Sequence, residues 1–337
     1  MGTGAQIGST PLKRGLHILI SGSAFFFSAL SAIAPAGGDP AGSRPSSPRY
    51  QFSSFADDTA LYEGAYCSAW KLIPDEREDG RSRTGRIMAG TISHHLFIRD
   101  LIAQYFIELA RCVNPRTIIV LGPNHHARGH SPIALSALRW RTPFGFVDPD
   151  TEVIRKLSHT GLACVEEGAF VNEHSIGALV PFIRKSFPGS MIVPVIFKKI
   201  ADREDCARLA GVLPGLMDRT LVLASVDFSH YKTRTEAERE DMASLDVIRS
   251  LSEGRVDEAF VDSRPALLTL LKFCKNLGAT NVEVVQHTNS GILSHKGRVP
   301  CTSYINTYIR EQASPAERRN NEASQSDSNR SIAHRMH

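Results

Sequence analysis

The sequence predicts an α/β layer fold, on three observations. Strand-like and helical apolar patterns alternate along the chain. The strand-like runs are short and continuously apolar, as in strands buried on both faces. The 337 residues are 42% hydrophobic, enough for a sizeable core. Taken in order, the folded part is expected to begin between Tyr50 and Trp70. From His95 to Cys112, residues Phe97, Leu101, Tyr105 and Leu109, with Ile98, Ile102 and Phe106 beside them, make a broad helical stripe. That helix should be largely buried. Thr117 to Leu121 is an apolar run ending in Gly122-Pro123, a buried strand closed by a turn, and Met191 to Phe197 and Leu221 to Val226 read similarly. The runs at 117–121 and 221–226 should share one sheet. Helical patterns fall at about 151–158, 175–187, 202–213, 235–251 and 265–277, and two further strands are expected at Val282 to Gln286 and Thr302 to Ile309.

The ends differ from this middle. Lys13 and Arg14 precede an apolar stretch from Leu16 to Ala34, and Ala32, Ala34 and Ala36 offer a small-residue cleavage context. Residues 1–36 therefore read as a signal peptide or membrane anchor, which implies an exported (periplasmic or extracellular) or membrane-anchored protein; a mis-assigned start would make it cytoplasmic. Residues 37–55 are rich in Gly, Pro and Ser and read as a linker, 56–312 as the domain, and the polar stretch 313–337 as a disordered tail. The net charge of +4, from 39 basic and 35 acidic residues, and the lack of basic runs interleaved with aromatics give no reason to expect a nucleic-acid partner. Cys67, Cys112, Cys164, Cys206, Cys274 and Cys301 form no CxxC pair, so they read as core thiols, or as disulfides in an exported protein.

The chemistry gathers where strands end and helices begin. His125 and His126 follow the strand ending at Leu121, His230 follows the one ending near Val226, and His287 closes the strand from Val282. In an open α/β sheet, ligands bind beyond the carboxyl ends of the strands. His94 and His95 precede the long helix and Glu173-His174 precede the helix near Ser175, so they can join the same rim. Imidazoles with a carboxylate suit iron, copper or zinc. HExxH, Gly-x-Ser-x-Gly and P-loop signatures are absent. Each group also has a structural reading. His94 and His95 can cap a helix, and His125 or His126 can serve the Gly-Pro-Asn turn. Glu173 can be a helix-start carboxylate. Asp227 and His230 can be an orienting pair, and His287 an ordinary strand residue.

Four segments together resemble the Memo family, also called AmmeMemoRadiSam system protein B. Leu121-Gly122-Pro123-Asn124-His125-His126 is similar to its Gly-Pro-Ser/Asn-His-His motif, Arg141-Thr142-Pro143 to its Arg/Glu-Thr-Pro segment, and Asn172-Glu173-His174-Ser175-Ile176 to its Glu-His-Ser motif. Ser225-Val226-Asp227-Phe228-Ser229-His230 is similar to its Ser-Ser/Met-Asp-Phe-Ser-His run. The resemblance covers roughly 85–310, in family order. It implies a central, mostly parallel sheet flanked by helices, like class III extradiol dioxygenases, with a metal cleft at its rim. By position it makes His94 and His125 metal ligands. The first motif here is altered, reading Ser93-His94-His95-Leu96-Phe97 where the family has Pro-His-Ala-Gly-Tyr. A sulfur ligand of some members falls near the apolar Ile292 or Leu293, which makes the nearby His287 the candidate third ligand.

The enzyme reading that follows is a metal-dependent, dioxygenase-like oxidoreductase using iron or copper, with zinc less expected. His174 and His230 are its acid or base candidates, and Glu173 and Asp227 complete or orient the site. The competing reading is a module that binds a small molecule or peptide in the same cleft without turnover. The family's system name implies a radical-enzyme partner.

Overall fold

Ile118, Ile119, Val120 and Leu121 have no polar side chain to turn to water, so a strand made of them is stable only inside a sheet covered on both faces. That is where the computed structural model places them. It describes residues 50–53, 55, 57–73, 85–216, 219–294 and 300–312, all within one unit, Ser47–His337. The leader 1–36 and the tail 313–337 lie outside the described residues.

In chain order the elements begin with β1 (Gln51–Phe52), α1 (Thr59–Leu72), β2 (Ile87–Ile92), α2 (Arg99–Ala110), β3 (Thr117–Pro123) and β4 (Ile133–Leu135). Next come β5 (Trp140–Thr142), β6 (Gly145–Val147), α3 (Thr151–His159), β7 (Cys164–Val165), α4 (His174–Gly177), α5 (Val180–Ser186) and β8 (Met191–Phe197). The chain continues through α6 (Arg203–Val212), β9 (Thr220–Ser225), β10 (Phe228–Lys232), α7 (Arg234–Arg249), α8 (Arg264–Asn276), β11 (Asn281–Asn289), α9 (Ser290–Leu293) and β12 (Cys301–Arg310).

The main sheet runs β10-β12-β2-β9-β3-β8-β4-β7, with β11 paired to β12. Its centre, β2-β9-β3-β8, is parallel. The expected mostly parallel sheet therefore describes the centre; β12 and β4 extend it antiparallel on the two sides. The loop from 124 to 132 is too short for the crossover of a dozen or more residues that a parallel return requires. Strand alternation divides the core. Ile119 and Leu121 face a layer containing α3, α6, α7 and α8, whereas Ile118 and Val120 face α1, α2 and α5. β1, in the stretch read as linker, instead joins β5 and β6 in a small second sheet.

Two local differences from the sequence reading have clear causes. The helix expected over 175–187 is two pieces, because Pro181 starts α5 as a new helix after a break at Ala178 and Leu179. β2, unmarked by the sequence patterns, is fully buried, and Gly90 at its middle is obligatory: a Cβ there would lie 2.2 Å from the Thr307 carbonyl oxygen and 2.5 Å from the Tyr105 hydroxyl. α2 buries Ile102, Tyr105, Phe106 and Leu109 as expected, while Phe97, just before it, stays exposed. Cys206, Cys274 and Cys301 are buried, and Cys67, Cys112 and Cys164 are exposed.

Candidate metal centre

Because β2, β3 and β9 are parallel neighbours, their carboxyl ends meet at one rim, and the residues that follow them are delivered to the same place. His94 follows β2, His125 follows β3, and Asp227 follows β9. The one-turn helix α4 reaches the rim because Gly122 in β3 has no side chain; a Cβ there would meet the Ser175 Oγ at 2.7 Å. Ser175 Oγ instead donates to the Pro123 carbonyl at 2.8 Å, which holds Glu173 and His174 above the strand end.

Within the rim, His94 is buried, with its Nδ1 3.1 Å from Ser225 Oγ. Its Nε2 lies 3.4 Å from Asp262 Oδ2 and 3.6 Å from Asp227 Oδ2. His125 donates from Nδ1 to Glu173 Oε1 at 2.7 Å, and its backbone amide donates to Glu173 Oε2 at 2.8 Å. A carboxylate only accepts, so the His125 ring hydrogen is on Nδ1 and Nε2 carries a lone pair; that Nε2 is 3.9 Å from Asp262 Oδ2. Asp262 is fixed by a backbone clasp, accepting the Asp227 amide on Oδ2 at 3.2 Å while its own amide donates to the Asp227 carbonyl at 3.0 Å.

The electrostatics describe donors short of a counter-charge. Burial, with the neighbouring His174 and His125, holds the His94 imidazole well below its ordinary pKa. Burial and the adjacent Asp227 push the Asp262 carboxyl well up, and burial likewise raises Asp227. Burial would raise Glu173 too, but the hydrogen bond and charge of His125 outweigh it and hold this carboxyl down at about 2. His174 is lowered to about 4, by burial first and then by His125. Asp262 Oδ1 and His230 Nε2 are buried without hydrogen-bond partners among the described residues. A cation would relieve the clustered lone pairs and stabilise the charged carboxylates together, so the donor set fits a metal ion.

Among the described residues, two groups have mutually close ligand atoms, all within 4.8 Å: His94, His125 and His174, and His94, Asp227 and Asp262. The first does not converge on one ion. The His174 ring is stacked on His125 with centroids 4.0 Å apart and planes 19° from parallel, and imidazole lone pairs lie in the ring plane. Two stacked rings cannot both aim at one point. Ligand atoms that bind an ion at about 2.0–2.2 Å stand roughly 3–3.5 Å apart, so the Asp262 contact with His94 at 3.4 Å is at ligand-to-ligand spacing and that with His125 at 3.9 Å is somewhat wider.

The structure thus brings together His94, His125, Glu173, His174 and Asp227 from the sequence-predicted set. His230 borders them, lowered by burial against the opposing pull of Asp227. It is presented by an irregular β10, in which Ser229 and Tyr231 on either side have positive φ of 29° and 57°. His287 stands apart. It pairs in register with Ile305, on the face covered by α7 and α8, and its Nε2 is 3.1 Å from Asp241 Oδ2; neither close group contains it. Ile292 and Leu293, the apolar positions near which the sulfur ligand of some family members falls, lie in α9 beyond β11. Asp262 was missed. Its only sequence signal is an acid just before the Ser263 cap of α8, much as Glu173 stands before α4. Glu173 fulfils both readings, capping α4 through the Ser175 amide and accepting from His125. His95 turns away to the Tyr304 hydroxyl at 2.7 Å, and His126 is exposed.

Comparison with known proteins identifies the family. The profile of the family described as Memo-like protein matches residues 91–303, which span the whole rim. A MEMO1 family protein of Caldivirga maquilingensis is 28% identical over 58% of this chain and 73% of its own length. One from Nitrosopumilus maritimus is 26% identical over 56% of this chain and 72% of its own. One from Methanopyrus kandleri is 28% identical over 61% of this chain and 78% of its own. Among solved structures, a protein of Escherichia coli K12 superposes with a TM-score of 0.47 at 12% identity, covering 65% of this chain and 99% of that one. With its family profile spanning the histidine rim, the chain belongs to the Memo-like protein family.

Proposed function

We propose that the rim is the mononuclear metal centre of an oxidoreductase, with His94, His125 and Asp262 as protein ligands and iron as the preferred ion. One observation carries this reading: the Nε2 atoms of His94 and His125 come within 3.4 and 3.9 Å of the same carboxylate oxygen, Asp262 Oδ2. Two imidazoles and one carboxylate with open positions are the donor set of non-haem iron oxygenases, which supports iron, and catalytic zinc sites share that set, so the metal analysis below includes zinc. An iron ion bound there would supply Lewis acidity and one-electron chemistry.

The remaining residues have separable duties. Glu173 fixes the His125 ring, as an orienting carboxylate does for a metal-bound imidazole. His174, half-exposed and neutral beside the cleft, accepts or returns a proton at its ring nitrogen. His230 is the second candidate for that duty, with its buried Nε2 unengaged.

Iron, copper and zinc content of protein purified without a His tag tests the assignment, with folding followed by circular dichroism. Folded His94→Ala, His125→Ala and Asp262→Ala should lose most of their iron. His174→Ala should retain it, and so should His287→Ala, which removes an imidazole outside the rim. Equal metal content in wild type and the three ligand variants would sink the ligand assignment. A wild type that binds none of the three metals would favour a ligand-binding module in the same cleft.

A further inference from the structure

We propose that Ser225 is a positioning residue that sets the ring tautomer of His94, so that the Nε2 lone pair faces the cleft before any ion arrives. The proposal rests on the metal-centre reading above and names a residue which that reading does not use.

Ser225 is the last residue of β9, and its side chain is fully buried between the rim and α4. Its Oγ is 2.5 Å from the Ser175 carbonyl oxygen, and a carbonyl can only accept, so the single hydroxyl proton of Ser225 is committed there. Toward His94 Nδ1, 3.1 Å away, the oxygen has only lone pairs left. Nδ1 must therefore carry the ring hydrogen and donate it. In the neutral ring this leaves Nε2 bare.

Ser225 holds this arrangement against a competing pull. Nε2 lies 3.4 Å from Asp262 Oδ2 and 3.6 Å from Asp227 Oδ2, and an ionised carboxylate at that range favours a hydrogen on Nε2 instead. With an Nε2–H the ring could not bind a metal through that atom. Among the described residues, the serine hydroxyl, oriented by Ser175, is the group at Nδ1 that rewards the binding tautomer. His125 is set the same way by Glu173. The two locks are joined, because the Ser175 amide donates to Glu173 Oε1 at 2.9 Å while the Ser175 carbonyl accepts from Ser225. One residue of α4 thereby braces both imidazoles through its two backbone groups.

The test reads tautomers directly, without metal. Long-range proton–nitrogen NMR on metal-free protein labelled with nitrogen-15 histidine should show Nδ1–H for His94 in wild type. In Ser225→Ala the hydrogen should move to Nε2, and cobalt(II) affinity, measured by titration, should fall about 10- to 100-fold, the usual cost of losing an orienting partner. Ser225→Thr keeps the hydroxyl and should retain the wild-type tautomer. A wild-type His94 with Nε2–H, or a folded Ser225→Ala that keeps Nδ1–H, would overturn the proposal. Failure of the metal-centre reading is recognised separately, by a folded His94→Ala that binds cobalt(II) as tightly as wild type.

Discussion

Glu173 shows how much one buried carboxyl can carry. It accepts the His125 ring hydrogen, the His125 amide and the Ser175 amide, and these contacts hold its pKa at about 2 against an ordinary 4.5. A folded-state pKa below the unfolded one means that the unfolded chain takes up the proton first. The contribution is thus fully present above about pH 4.5 and is lost as pH falls toward about 2. It is on the order of 3 kcal/mol. Metal-free Glu173→Gln should lose less stability than wild type between about pH 5 and about pH 3, as read by urea denaturation. Parallel curves for the two proteins would contradict this. At this scale the sequence revealed His94 and His125 because each follows a strand or precedes a helix in a distinct motif. It misled at His287, since a residue at a strand end can lie on either face, and which face depends on register with β12. It concealed Asp262 and Ser225, whose duties come from distances of 3.4 and 3.1 Å to a residue more than a hundred positions away.

Among the elements, the buried strands at the centre were legible because continuous apolar runs leave no face for water. β2 was not, because Ala89 and Gly90 dilute its apolar pattern to admit Tyr105 and β12. α4 is the smallest element with the largest effect on the site. Its seat on β3 depends on Gly122, whose added Cβ would stand 2.7 Å from the Ser175 Oγ and 2.9 Å from its Cβ. Gly122→Ala should push α4 outward and destabilise the fold by about 1–3 kcal/mol, the usual range for overpacking. Metal retention should fall with it, as Glu173 leaves His125. The checks are a urea midpoint and metal content; a variant equal to wild type in both would show that α4 does not depend on this approach.

Across the whole molecule, the rim is assembled from segments near residues 94, 125, 173, 227 and 262, so no fragment contains the donor set. The parallel centre makes that possible by aligning three strand ends. The N-terminal segment is a separate matter. Its basic pair, apolar run and alanines lead us to propose export, with the mature chain starting near residue 35 or 37. N-terminal sequencing of native protein checks this, and an intact Met1 in a soluble cytosolic fraction would refute it. Finally, Ser175 joins the two imidazoles through its peptide N–H and carbonyl, not through its side chain. Every amino acid except proline supplies the same two groups, but the Ser175 hydroxyl also seats α4 on the Pro123 carbonyl, so substitution at 175 spares both links only where the helix stays seated. The coupling therefore has two kinds of genetic fragility: at 173 and 225 a mutation removes a bonding side chain outright, whereas at 122 and 175 it acts by unseating the helix that carries the backbone links.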